Sequence, residues 1–436
     1  MSDKRCERTS AQTLAALGAA VLLLPLAAPV PALAESGWTR QDLDSADRVG
    51  LVLESGVLRP DGPEADGGGA SLRLEEGRAG TGLATFPEQP LHHTTDSVDV
   101  RVRADGDIED LLTEVRGVRP DGMWTEWHQA PGSGGRVTLP HDVSRVQLRV
   151  EVDGDSTALT GLRLRPLVSS ADQPDGGRGE EGGAEGAGAA APFSARLFAT
   201  RIGLVGGTTA NGHTVREDDH FAALPSRRGL AARGGGEYTV RVCTTGALGP
   251  EGEGGTADHE PRCSYLPVWD VGPWNTSDDH WNDDRESWRG LDRGRPQAQA
   301  AYQEGHNGGL DEFGREVRNP AGIDLADGAF QEGLQLPTNG WVDVDYLWTA
   351  EYRQRAEITT ATQSDPVVVR GGPGREHGPV GLAAHSATVD VACQAAGDEE
   401  TGPFGTSRAW YRIGPGNYVP AVFADGGADA PVCTDL

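Results

Sequence analysis

Val146-Gln147-Leu148-Arg149-Val150-Glu151-Val152 alternates apolar and polar side chains without a break. Successive side chains of a β-strand point to opposite faces, so this period places the four valine and leucine positions in a core and the polar set in water. Val98-Asp99-Val100-Arg101-Val102-Arg103 repeats the pattern, and Leu162-Arg163-Leu164 comes after a glycine turn. Asp61-Gly62, Asp105-Gly106, Asp121-Gly122 and Asp153-Gly154 punctuate these runs as turns. Residues 36–168 therefore read as a β-sandwich. Trp124 and Trp127 lie three apart, which puts them on opposite faces of a strand, and core or hairpin packing is expected of both.

The rest of the chain fits the same class. Its 436 residues leave room for roughly two to four domains. Apolar residues make up 37%, below the usual ~45–50%, while glycine numbers 62 and proline 28. That mix suits short strands and many turns, and predicts a mainly β, multidomain protein. Lys and Arg total 38 against 66 Asp and Glu, a formal charge of −28. A polyanion repels phosphate backbones, so no nucleic-acid partner is expected.

One long apolar run, Leu14 to Ala34, comes after Lys4, Arg5 and Arg8 and ends in Ala32-Leu33-Ala34. This reads as a cleaved signal peptide over residues 1–34, hence a secreted protein with no membrane span after cleavage. An uncleaved anchor is the alternative. Cys6 lies within that segment, which leaves Cys243, Cys263, Cys393 and Cys433. Four cysteines in an oxidising compartment allow three pairings, and proximity favours Cys243–Cys263 and Cys393–Cys433. Residues 169–192, rich in Gly, Ala and acids, read as a flexible linker that tethers the sandwich to the C-terminal half of the chain.

Residues 194–350 carry the chemistry. Strand-like runs occur at 195–200, 238–242 and 341–348, a helix-like patch at 296–302, and six of the ten tryptophans between 269 and 348. In Val268-Trp269-Asp270-Val271-Gly272-Pro273-Trp274-Asn275 a carboxylate sits between indoles beside a Gly-Pro turn. A partly desolvated carboxylate suits a general acid, and indole faces stack on sugars; the competing reading is a turn aspartate with both tryptophans in the core. Asp324 in Gly322-Ile323-Asp324-Leu325 is an inward-facing candidate second carboxylate, since glycosidases use two. Asp327 is expected to cap a helix at Gly328-Ala329-Phe330. His213 and His220 are candidate proton carriers. The triplets Asp218-Asp219-His220 and Asp278-Asp279-His280 match no calcium-loop spacing, and neither a metal nor a cofactor is expected. Residues 365–436 read as a small β-barrel, with Val367-Val368-Val369, Arg370-Gly371-Gly372-Pro373-Gly374 and a disulfide.

Four motifs in order carry a resemblance: Thr209-Ala210-Asn211-Gly212, His220-Phe221-Ala222-Ala223-Leu224-Pro225, Trp269-Asp270-Val271-Gly272-Pro273-Trp274 and Gly322-Ile323-Asp324-Leu325-Ala326. Over residues 194–350 the chain resembles the double-psi β-barrel of rare lipoprotein A and the expansin-like proteins. Residues 365–436 resemble a bacterial SH3 domain, through Val368 to Gly374 and Trp410-Tyr411-Arg412-Ile413. The resemblance implies a cell-wall glycan, peptidoglycan above all, as partner, and lytic transglycosylase-like cleavage or non-catalytic binding as the activity. It places the family's central aspartate on Asp270 and its second on Asp324. Trp269, Trp274 and Asn211 join Asp324 as the expected substrate-binding set, with Asp270, His213 and His220 as the expected catalytic set. The family's arginine after the central aspartate is Val271 here, and residues 276–320 intervene between motifs that lie closer in the family.

Overall fold

The computed structural model describes residues 37–61, 81–132, 134–154, 156–167, 191–244 and 260–434. The signal-peptide expectation, the linker expectation over residues 169–190 and the turn at Asp61-Gly62 lie outside them. The chain is mainly β. The N-terminal part contains β1 (Thr39–Arg40), β2 (Asp47–Val49), β3 (Leu51–Glu54), β4 (Val57–Pro60), β5 (Thr81–Thr85), β6 (Gln89–Asp105), β7 (Leu111–Gly117), β8 (His128–Gln129), β9 (Gly134–Asp153) and β10 (Ala158–Pro166). Its strand order is β2-β5-β9-β6-β10-β4-β3. The first half of β9 pairs with β6, and its second half lies between β5 and β7. Register shifts between Pro90 and Ser97 mark where these long strands bend. Val146, Leu148, Val150 and Val152 are buried in the core between the layers, as their period predicts.

The polar half of that period is a correction. Gln147, Arg149 and Glu151 do not face water; they are buried against the next part of the chain. Arg149 pairs with Glu114 at 2.5 Å and donates to the Arg227 carbonyl at 2.6 Å. Arg227 pairs with Glu151 at 2.7 Å, and Arg116 with Glu237 at 2.6 Å. The Arg116 guanidinium also lies over the rings of both Trp124 and Trp127, so both indoles pack inside, and Trp127 belongs to the core of the second part. Trp38–Leu436 accordingly forms one compact unit rather than tethered beads.

This interface carries a pH dependence. Burial pushes the Glu286 carboxyl up to about 7, reinforced by Glu114 and Asp279 and opposed by Arg227 and Arg228. A carboxyl whose folded pKa is raised holds its proton in the folded state after the unfolded chain has lost it. Its contribution therefore falls as pH rises from about 4.5 to 7. Because more than a third of Glu286 meets solvent, screening cuts this effect, and Glu286→Gln is expected to match the parent near pH 4.5 and to be more stable by only about 1 kcal/mol at pH 8. Denaturation midpoints across that range check it; a constant offset between the two proteins would contradict it.

The second part contains β11 (Phe193–Arg201), β12 (Ala222–Leu224), β13 (Thr239–Thr244), β14 (Cys263–Val271), β15 (Ala321–Leu325) and β16 (Gly340–Tyr346). They run in the order β12-β15-β11-β16-β13-β14, and β12 also pairs with β14, which closes a six-stranded barrel. The β11–β15 and β12–β14 pairings are parallel and the others antiparallel. Leu197, Val240, Leu266, Ile323 and Val342 fill its interior. Cys243 and Cys263 are directly opposed on β13 and β14 and form a disulfide. Helix α1 (Gln297–Glu304) forms at the helix-like patch. Trp269, Trp281, Trp341 and Trp348 are buried, so the tryptophan density is mostly core.

The third part contains β17 (Arg355–Ile358), β18 (Val367–Arg370), β19 (Pro379–Ala383), β20 (Thr388–Asp390), β21 (Cys393–Gly402), β22 (Gly405–Gly414), β23 (Asn417–Pro420) and β24 (Ala424–Gly426). β17 sits between β20 and β24, so this part begins upstream of residue 365, the expected boundary. β19 pairs in parallel with β14, making one sheet continuous through the second and third parts. Cys393 and Cys433 form the second expected disulfide.

Candidate functional site

The barrel's closure sets out the site. Ala223 on β12 is the register partner of Asp270 on β14 and of Asp324 on β15. Asp324 is in turn the partner of Thr200 on β11. Register partners project to the same face, so Asp270, Ala223, Asp324 and Thr200 form a row across four neighbouring strands. At ~4.8 Å per strand, the two aspartate backbones stand about 10 Å apart with only a methyl group between them. All four residues line one cavity of about 230 Å³.

The opposite wall comes from residues 276–320, through Thr276, Phe313, Arg315 and Asn319. Trp274 joins the two sides. Its indole Nε1 donates to Asn319 Oδ1 at 3.0 Å, and its carbonyl accepts from Arg315 Nη2 at 2.7 Å. Arg315 Nε is held by Asp311 Oδ2 at 2.6 Å. Asn275 ties this segment to α1, donating to Gln297 Oε1 at 2.8 Å. Asp270 Oδ1 accepts from the backbone N–H of Ala210 at 2.8 Å and of Val271 at 3.0 Å, which fixes the plane of its carboxylate. Asp324 accepts from the Thr200 hydroxyl. The cavity thus combines two oriented carboxylates, a guanidinium, amide and hydroxyl groups, and two aromatic side chains.

The expected site residues divide. Asp270, Asp324 and Trp274 share this cavity. Trp269, His213, His220 and Asn211 do not line it. Trp269 is 1% exposed and its Nε1 donates to the Gly235 carbonyl at 2.7 Å, so it is core and offers no sugar platform. His213 packs on Trp269 and pairs with Asp219 at 2.6 Å, a turn-stabilising arrangement. His220 is 1% exposed, and burial holds its imidazole below the usual range. Asn211 is buried; its Oδ1 accepts from Thr209 Oγ1 and its Nδ2 donates to the Ala232 carbonyl, bracing its own turn. Asp327 is not a helix cap. Gly328 occupies that position, and Asp327 instead accepts from the Gly203 N–H.

Sequence reasoning missed Thr200, Ala223, Arg315, Asn319 and Phe313. Ala223 lies within one of the four resemblance motifs, Thr200 ends the strand-like run 195–200, and Phe313, Arg315 and Asn319 lie in residues 276–320, which the sequence marks only as an interruption. The triplet Asp278-Asp279-His280 is committed to the protein: Asp278 pairs with Arg285, Asp279 with Arg228, and His280 meets the Tyr346 hydroxyl. Among the described residues no group of three or more His, Cys, Asp or Glu is placed to hold a metal ion. A separate, larger groove of about 620 Å³ lies in the third part, lined by Pro366, Val368, Trp410 and Phe423, with the Arg375–Glu400 pair among its residues.

Residues 193–345, the closed barrel, match the family described as a domain of unknown function, DUF8814. No curated protein matches. Among solved structures, the chain is similar to the Glycosylation Associate Protein (Gap123) complex of Streptococcus agalactiae, at 9% identity over 30% of this chain and 45% of that one, with a TM-score of 0.22. It is also similar to accessory secretory protein 1,2 and 3 of Streptococcus pneumoniae, at 11% identity over 29% of this chain and 90% of that one, with a TM-score of 0.20. The chain spans less than half the length of the first. No helix among the described residues is long and apolar enough to cross a membrane.

Proposed function

We propose that this chain is a secreted, cell-wall-associated protein whose barrel cavity binds a wall glycan, peptidoglycan first among the candidates. The row of Asp270, Ala223 and Asp324, which lines one cavity together with Trp274, carries this reading. Carboxylates accept from sugar hydroxyls, an indole face packs on sugar C–H groups, and the small Ala223 leaves space between the acids. Two disulfides suit an oxidising compartment and support export. The double-psi reading of the barrel draws support from the closed ring with its two parallel pairings.

Cleavage is a second reading, favoured by the presence of two carboxylates in one cavity, as glycoside hydrolysis uses. The histidines have no part in it, because neither lines the cavity. Purified protein is expected to sediment with cell-wall sacculi. Asp270→Asn and Asp324→Asn are each expected to weaken that binding about tenfold, the loss of a charge-assisted hydrogen bond. Asn keeps the oxygen that accepts from Ala210 and Val271, so the fold is retained in the Asp270 variant. Binding by the parent that neither substitution alters would refute the site, and release of muropeptides abolished by both substitutions would establish cleavage.

A further inference from the structure

The outer face of the N-terminal part concentrates basic side chains in a chain whose formal charge is −28. Arg40 on β1 is the register partner of Arg163 on β10, and Arg163 is the partner of Arg101 on β6. Gly161 is the partner of Arg103. Three adjacent strands thus project Arg40, Arg163, Arg101 and Arg103 to one face. All four line a single cavity of about 110 Å³ together with Thr160 and Gly161.

Around the edge of the cluster, Asp99 pairs with Arg165 at 2.5 Å and with Arg136 at 3.5 Å, and Asp105 with Arg59 at 3.5 Å. The cluster is also built rather than loose. The Trp38 ring lies under the guanidinium of Arg101 at 4.2 Å and that of Arg165 at 4.8 Å. The register of β10 against β6 slips between Leu159 and Gly161, which makes Thr160 a bulge residue. A bulge leaves its extra residue out of the ladder and re-aims its side chain, here into the cavity.

We propose that this pocket is an anion site for one phosphate-sized oxyanion, either free or as the phosphate of a phosphorylated sugar or lipid headgroup. The small volume admits a single such group. The acidic remainder of the molecule repels long polyanions, while the four guanidinium groups act within a Debye length of about 10 Å at 0.1 M salt. Guanidinium groups match phosphate oxygens in bidentate geometry. The site is independent of the barrel cavity and of the glycan reading.

Calorimetric titration of the full chain with inorganic phosphate at low salt tests it, alongside glucose 1-phosphate and phosphatidic-acid vesicles. Saturable binding of at least one of these is expected, weakened at least tenfold in the double variant Arg40→Gln/Arg103→Gln and unchanged in Arg59→Gln, which lies outside the pocket. Whichever probe binds most tightly identifies the source of the phosphate. A rise in melting temperature with inorganic phosphate, present in the parent and absent in the double variant, provides a second readout that also reports folding. No binding by the parent to any of the three, or equal binding by the double variant, would overturn the proposal.

Discussion

Glu126→Leu is expected to destabilise the protein by about 3–5 kcal/mol, because it strips the partner from a buried charge and two indoles at once. Glu126 Oε1 accepts from Trp281 Nε1 at 2.6 Å and from Trp348 Nε1 at 2.8 Å. Its Oε2 accepts from Asn282 Nδ2 at 2.7 Å and pairs with Arg228 at 3.3 Å. Burial raises the carboxyl's pKa, against the pull of Arg228 and the indole donors. This one side chain, on the N-terminal part, collects donors from three separate stretches of the barrel. Leucine fills the space but leaves the indole N–H groups and the Arg228 charge short of an acceptor. Urea unfolding measures the loss, and a value under about 1 kcal/mol would show that the carboxylate is not what ties the parts together.

The double replacement Cys393→Ser/Cys433→Ser is expected to cost about 4 kcal/mol, through the unfolded chain rather than the folded one. The bridge closes a loop with a sequence separation of 40, and freeing it returns that closure entropy to the unfolded ensemble. Both sulfur positions sit in a small cluster with Trp410 and Tyr418, so serine also introduces hydroxyls into an apolar pocket. Thermal unfolding without reductant measures the effect. A variant that melts with the parent would mean that the unfolded segment is already restrained by other means.

The alternation in β9 and the two disulfide pairings were legible because each rests on neighbours in sequence. What covers the second face of β9 was not. A period of two reports that the faces differ, and it carries no record of Arg227, far along the chain, lying over Arg149 and Glu151. The site shows the same limit. Asp270 and Asp324 are each legible as candidate carboxylates, but their common face, with Ala223 between them, comes only from ring closure. The inward turn of Trp269 was not legible, because strict alternation from the core residues Leu266 and Val268 would put Asp270 inside and Trp269 outside. A bulge reverses this: Ala222 pairs with Val268 and Ala223 with Asp270, so Trp269 is the extra residue and packs in the core beside Val268. Trp274 escapes that parity because it lies beyond the turn, in a left-handed conformation with φ of 66°.

Strand β14 touches the third part through Cys263 to Tyr265 and the barrel cavity through Asp270. Five residue-to-residue steps of extended chain lead from Tyr265 to Asp270, about 17 Å at the rise of a strand. β13 and β19 flank its Cys263–Tyr265 end and β12 pairs with its Val268–Val271 end, so one backbone carries both the third part and the edge of the cavity. Main-chain hydrogen bonds from β14 to β19, and not a linker, join the C-terminal part to the barrel, so moving one away from the other would break a sheet ladder.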